Sequence, residues 1–335
     1  MIVSLANTQL FIGANEDTEQ ALNLSLLPSE TKFYNLANGQ KVIASFCSLK
    51  ETHNKTERCI ELIKQVLTKL PQKEQDELSE TIVFLLLPVF EQTQNDEKSA
   101  GFNCFVQALS KEFPQLFNHE LSQCFPFGSA AFLIALKSVI AVFSNKKASK
   151  IVLLAVDSLY DKMGELASAD KLKSTQQTGC MVPSEGAAFC QIMPSAEGLS
   201  VDHSLQGIVP EKQIKQGINN LFAQASSSLV KQSNKTEQSN KNVKITSLYL
   251  PGNGDESQQP WLDAYFYLAD NVSIDTKIYQ NTLFTGELGC VTGLYNFLHI
   301  YNGYQNEWLT GISGHLEVSE ALYQGFSLYS WTGTA

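Results

Sequence analysis

Residues 127–144, FGSAAFLIALKSVIAVFS, decide how the rest of the chain is read. From Ala130 to Phe143 the run is apolar apart from Lys137 and Ser138. It is too short to span a bilayer, which takes roughly 20 residues. It therefore predicts a helix over 129–144 that is buried on nearly all sides. The small residues Gly128, Ser129 and Ala130 form its entry turn. Just after it, residues 150–157 (KIVLLAVD) are apolar without polar alternation, which marks a strand covered on both faces.

Working outward, the same two signatures alternate. Residues 1–13 and 40–47 read as strands, with a turn at Asn38-Gly39. Residues 52–70 read as an amphipathic helix, with Cys59, Ile60, Ile63, Val66, Leu67 and Leu70 at helical spacing. Residues 81–88 (TIVFLLLP) and 186–193 (GAAFCQIM) are further buried strands, with a helix near 101–111 between them. A helix at 211–230 runs into a polar stretch, 231–242 (KQSNKTEQSNKN), that reads as a surface loop. A strand at 245–250 ends in a Gly-rich turn, 251–255. Helices at 258–269 and 287–301 and strands at 308–314 and 321–331 complete the chain. Buried strands alternating with helices predict an α/β protein whose sheet is covered on both faces.

The 335 residues are 43% hydrophobic and 17% charged, enough to build one large domain or two smaller ones without a disulfide or metal staple. The net charge of -10 and the shortness of the basic clusters (Lys146, Lys147 and Lys150; Lys241 and Lys244) argue against nucleic acid. They also mean that an acidic carrier would need a local basic patch. Seven cysteines form no CxxC pair and no zinc spacing with the five histidines, so neither metal nor cofactor is expected. Cysteines set in apolar runs suit a reducing compartment. The N-terminus lacks the basic region of a signal peptide, and the expected location is cytoplasmic.

Three segments resemble the β-ketoacyl synthases of the thiolase-like superfamily. Phe127-Gly-Ser-Ala-Ala-Phe-Leu-Ile-Ala-Leu136, with the following strand ending in Asp157-Ser158, is similar to the family's nucleophile segment. Gly179-Cys-Met-Val-Pro-Ser-Glu-Gly-Ala-Ala188 is similar to GFVPGEGAA, with Ser184 in place of a glycine. Gly286-Glu-Leu-Gly-Cys-Val-Thr-Gly293 is similar to GHxxAAxG. A weaker match sets Leu250-Pro-Gly-Asn-Gly-Asp255 against the HGTGT turn. The resemblance implies five layers, α-β-α-β-α, built from two similar halves at 1–200 and 201–335. The helices 129–144 and 287–301 would form the central pair. It also implies a dimer in which edge strands of the first half pair across a two-fold axis, with strand 186–193 as the candidate interface.

A synthase of this family uses one cysteine and two histidines. Carried over, the cysteine position falls on Ser129, the first histidine on Pro251 and the second on Glu287. Serine needs a neighbouring base to attack. Pro251 offers no donor, and an ionised Glu287 would repel an enolate. Gly128, Cys180, Gly286 and Gly289 would line the substrate pocket. The resemblance thus implies a ketosynthase-like subunit without condensing activity. It would be similar to chain-length factors, pair with itself or with a complete ketosynthase, and meet an acyl carrier protein. The rival is an acyltransferase or thioester hydrolase using Ser129, or Cys124 five residues upstream, with Glu287 assisting. The blander alternative is that Ser129 and Glu287 cap their helices. Glu185 reads as structural, His299 and His315 as packing or surface residues, and His119 and His203 as loop residues.

Overall fold

The first half runs β1 (Ile2–Ile12), β2 (Phe33–Asn35), β3 (Lys41–Ile43), α1 (Lys55–Thr68), β4 (Ile82–Leu86), α2 (Glu97–Glu112), β5 (Gln123–Phe125), α3 (Ala131–Ser144), β6 (Ile151–Ser158) and β7 (Glu185–Pro194). The second runs β8 (Gly198–Ile208), α4 (Ile214–Ser233), β9 (Ile245–Tyr249), helical turns at 261–268, β10 (Lys277–Tyr279), α5 (Val291–Gln305), β11 (Ile312–Val318) and β12 (Tyr323–Thr332). These elements come from a computed structural model that describes residues 1–27, 32–36, 39–49, 54–90, 97–173, 181–233, 244–252, 261–319 and 322–333.

Apart from the small hairpin of β2 and β3, the strands join in the order β10-β9-β11-β12-β8-β1-β7-β6-β4-β5. The order is the same in each half when read from the middle. β4 runs parallel to β5 and β6, β6 is antiparallel to β7, and β7 to β1. β9, β10, β11, β12 and β8 repeat those senses. Among the described residues, the strands of the two halves pair through Ile2↔Ser200 and Val3↔Leu199, so the sheet parts beyond that seam.

Three apolar cores make the layers. Ile82, Phe84 and Leu86 of β4 face a central core that holds α3 and α5. Val83, Leu85 and Leu87 face the other way, into the core of α1 and α2. On the far side, Ile245 and Leu248 pack on α4 and on Trp261 and Leu268. Alternate residues of one apolar strand thus fill two layers, as the unbroken runs require. The result is α-β-α-β-α with α3 and α5 innermost. Eleven of the fifteen residues of α5 are buried.

Some expected boundaries move. α5 begins four residues after 287 because Gly286 (φ 71°) and Gly289 (φ 57°) take left-handed conformations that a right-handed helix excludes. Its C-terminus extends to Gln305, so β11 starts at Ile312 rather than 308. β8 was not expected, and it places His203 on a strand rather than in a loop. Strand 186–193 forms, but β1 and β6 bind it on either side, so it has no edge to offer a partner. The end strands of the sheet are β5 and β10. Cys180 and most of the polar stretch 231–242 lie outside the described residues, as do positions 253–260.

Candidate functional site

The three family-like segments converge at the C-terminal ends of β4 and β6. The Leu87 carbonyl accepts the Gly128 N–H at 3.1 Å, fixing the Ser129 turn. One residue earlier, the Leu86 carbonyl accepts the Cys290 thiol at 3.3 Å. Asp157, near the end of β6, accepts the Cys290 N–H at 3.1 Å. Glu287 pairs by backbone with the segment before β7: its N–H donates to Val182 O at 2.7 Å, and its carbonyl accepts from Ser184 N at 3.1 Å. The Pro251 turn joins the same region, since Thr282 donates to Gly252 O at 2.8 Å.

The side chains are arranged for structure more than for attack. Ser129 sits in a 3-10 turn, Gly128–Ala130, and makes no side-chain cap; the N-cap position of α3 belongs to Ala130. The expected Ser129 cap is therefore absent. Glu287 does not cap α5 either. Its carboxylate accepts the Gly289 N–H at 3.2 Å, in the turn before the helix. Gly289 is required there, because a Cβ would lie 2.1 Å from Asp157 Oδ2. At Gly286 a Cβ would meet Val182 O at 2.8 Å.

Neither Cys124, the candidate nucleophile, nor Cys290 is poised to attack. Cys124 lies on β5 with its side chain toward the α1–α2 core, on the opposite sheet face from α3. Burial pushes it up to about 11. That placement removes it from the Ser129 turn. Cys290, at the head of α5, is fully buried, and burial raises it well above the ordinary thiol range. A thiol so raised is not a thiolate at neutral pH. Among the described residues, no cluster of His, Cys, Asp or Glu suits a metal ion.

Two buried ion pairs hold the site's floor. Glu185 accepts Arg58 Nε at 2.7 Å and a second bond from Arg58 Nη2, together with Cys47 N–H at 2.9 Å and Ser158 Oγ at 2.7 Å. The Arg58 guanidinium also stacks on Tyr160, 4.1 Å from the ring centroid. Asp157 pairs with Lys55 Nζ at 2.7 Å. Glu185 is thus the structural residue expected.

His299 bonds Tyr249 at 2.8 Å, and burial lowers its pKa to about 4. His315 is buried, not at the surface, and its pKa is lowered to about 3. Its neighbours are Asn296 and Glu317, at 3.4 and 3.5 Å. Glu317 was missed in the sequence; its one signal is a lone acid inside an apolar strand pattern, His315-Leu-Glu-Val318. A groove of about 630 Å3 opens elsewhere, beside the β1 bulge at Asn7 and Thr8 and the far end of α5 at Tyr301 and Asn302.

By sequence, no protein-family model and no curated protein matches the chain. By structure, the match is end to end. The ishigamide ketosynthase/chain length factor superposes with a TM-score of 0.69 at 9% identity, over 99% of this chain and 100% of that one. The ketosynthase ApeO in complex with its chain length factor ApeC, from Xenorhabdus doucetiae, gives 0.67 at 8% identity, over 99% and 98%. The ketosynthase from module 6 of the bacillaene synthase of Bacillus subtilis 168 gives 0.66 at 9% identity, over 100% and 73%. The chain therefore has the thiolase-like ketosynthase fold. Among the described residues no helix is long and apolar enough to cross a membrane.

Proposed function

We propose that this protein is a non-condensing, ketosynthase-like subunit of fatty acid or polyketide-type acyl metabolism, acting as a chain-length-factor-like partner of a complete ketosynthase. One observation carries the reading. At the head of the innermost helix, where a condensing enzyme needs a thiolate, stands Ser129, whose hydroxyl bonds no base among the described residues. Glu287, the proposed assistant, spends its carboxylate on the Gly289 N–H. His299 is bonded within the core to Tyr249, and His315 to Asn296, with Glu317 3.5 Å away. Electrostatic stabilisation of the developing enolate is usually the largest catalytic contribution, and among the described residues no side-chain donor set for it stands at Ser129. The same facts weigh against the hydrolase reading.

The partner surface in this reading is the open edge of β5, not strand 186–193. An unpaired strand edge invites another strand. The partner is a second copy or a homologous ketosynthase, and an acyl carrier protein would dock on the pair. The test is to incubate the purified chain with a malonyl thioester, alone and with a homologous ketosynthase, following CO2 release and light scattering. We expect no decarboxylation by the chain alone and a mass near that of a dimer. Decarboxylation abolished by Ser129→Ala would overturn the proposal.

A further inference from the structure

The two innermost helices start without caps of their own. Their N-cap positions are Ala130 and Cys290, and neither side chain bonds the first turn. Each is served instead by a carboxyl from the other half. Asp157, next to last in β6, accepts the Cys290 N–H at the head of α5. Glu317, next to last in β11, accepts the Leu133 N–H of α3 at 2.9 Å. β6 and β11 are equivalent strands of the two halves, so the capping is reciprocal.

The two caps differ in charge balance. Asp157 has Lys55 beside it. No Lys or Arg pairs with Glu317 among the described residues, and both it and His315 are at least 97% buried, with exposures of 3% and 0%. The titratable groups facing Glu317 are His315 on its own strand and Tyr329 on β12. α3 presents the Leu133 N–H and Phe132, and α5 presents Gly293. β8 sends Gln206 to the Leu133 and Ile134 carbonyls. The 3.5 Å separation of His315 Nε2 from Glu317 Oε1 exceeds the roughly 2.7–2.9 Å of a charge-assisted bond. An unpaired carboxylate in such a place is strongly disfavoured.

We propose that Glu317 is a positioning residue that works in its protonated form: a neutral cap that fixes the head of α3, and with it the Ser129 turn, to the second half, and that releases this turn on ionising. Burial pushes the carboxyl in the same direction, well above the usual carboxylate range. Asp157 holds the other helix by accepting the Cys290 N–H while Lys55 balances its charge, so the latch loosens at one end only.

Hydrogen exchange of the segment 127–136, corrected for intrinsic rates, reads the Leu133 N–H directly. At pH 4 the wild type and Glu317→Gln should be equally protected, because an amide oxygen can accept the same bond. Above about pH 4.3, the ordinary glutamate value, the opened turn gains a charge that the closed one resists, so wild-type protection relative to Glu317→Gln should fall about tenfold per unit until the closed carboxyl itself titrates, the signature of a one-proton event. Glu317→Leu, which cannot accept the bond, should be less protected than Glu317→Gln at every pH. Loss of protection in Glu317→Gln at pH 4, or full protection in Glu317→Leu, would overturn the proposal. So would a wild-type profile that stays level to pH 9, a measurement that does not depend on any variant folding.

Discussion

Gly293 is where α3, α5 and β11 come closest, and replacing it by alanine tests the packing of the central layer. A Cβ built there would lie 2.1 Å from Glu317 Oε1, 2.7 Å from its Cδ and 2.9 Å from Phe132 Cβ. The carboxyl cannot swing aside freely, since its other oxygen holds the Leu133 N–H. In an exposed helix the change would gain about 1 kcal/mol of helix propensity. Here overpacking costs roughly 1–3 kcal/mol, and displacing a buried hydrogen-bonded carboxyl costs about 1–3 kcal/mol more. The balance is a loss of about 3 kcal/mol, on the order of 6 °C in melting temperature. Denaturant unfolding, followed through Trp308 and Trp331, measures it. In a Glu317→Ala background the same substitution should cost about 2 kcal/mol less, because the main obstacle is gone. A neutral or stabilising Gly293→Ala in the wild type would refute the reasoning. An equal cost in both backgrounds would show that Glu317 is not the obstacle.

Ser129→Ala should change stability by less than about 0.5 kcal/mol in a thermal melt, since no cap is lost; a loss near 1 kcal/mol would mean that the hydroxyl caps α3 after all. His299 and His315 are held neutral, below their unfolded pKa of about 6.5. Their stabilisation is complete above that pH and is lost as pH falls from 6.5 toward 4 and 3, at up to roughly 1.4 kcal/mol per pH unit for each. Urea midpoints across pH 7 to 4 should fall less steeply in His299→Gln, and identical slopes would argue against a buried neutral His299. Glu185→Ala leaves the Arg58 charge buried without its partner and should cost about 3–5 kcal/mol, measured by chemical denaturation; a cost below 1 kcal/mol would mean that solvent reaches the pair. If β5 pairs with a second copy about its middle residue, Cys124 would face the partner's Cys124 at a Cα separation of roughly 4.5–5.5 Å. A short bismaleimide should then cross-link the protein alone, and Cys124→Ser should abolish the product.

Segments whose burial is written in local composition are legible from the residues alone. The apolar runs read at 81–88, 150–157 and 186–193 fall on the strands Ile82–Leu86, Ile151–Ser158 and Glu185–Pro194, and the run read at 129–144 falls on the helix Ala131–Ser144. A strand or helix that is apolar all round has nowhere to go but the interior, whatever its partners. The ordered small-residue segments then pointed to the ketosynthase fold and to the turns at 129, 251 and 287. What those turns do depends on groups that folding brings to them. β8 escaped notice because its Ser200, Asp202, Ser204 and Gln206 look like a surface pattern. Inside the fold, Asp202 meets Ser330, and Gln206 meets the Leu133 and Ile134 carbonyls. Glu317 escaped for the same reason, since its partner Leu133 is 184 residues away in the chain. Cys124 looked close to Ser129 in sequence, yet strand alternation turns it to the other sheet face. Apolar burial is a property of a segment and leaves a local mark. A buried polar group is tolerated only by partners that folding brings to it, and those can lie anywhere along the chain.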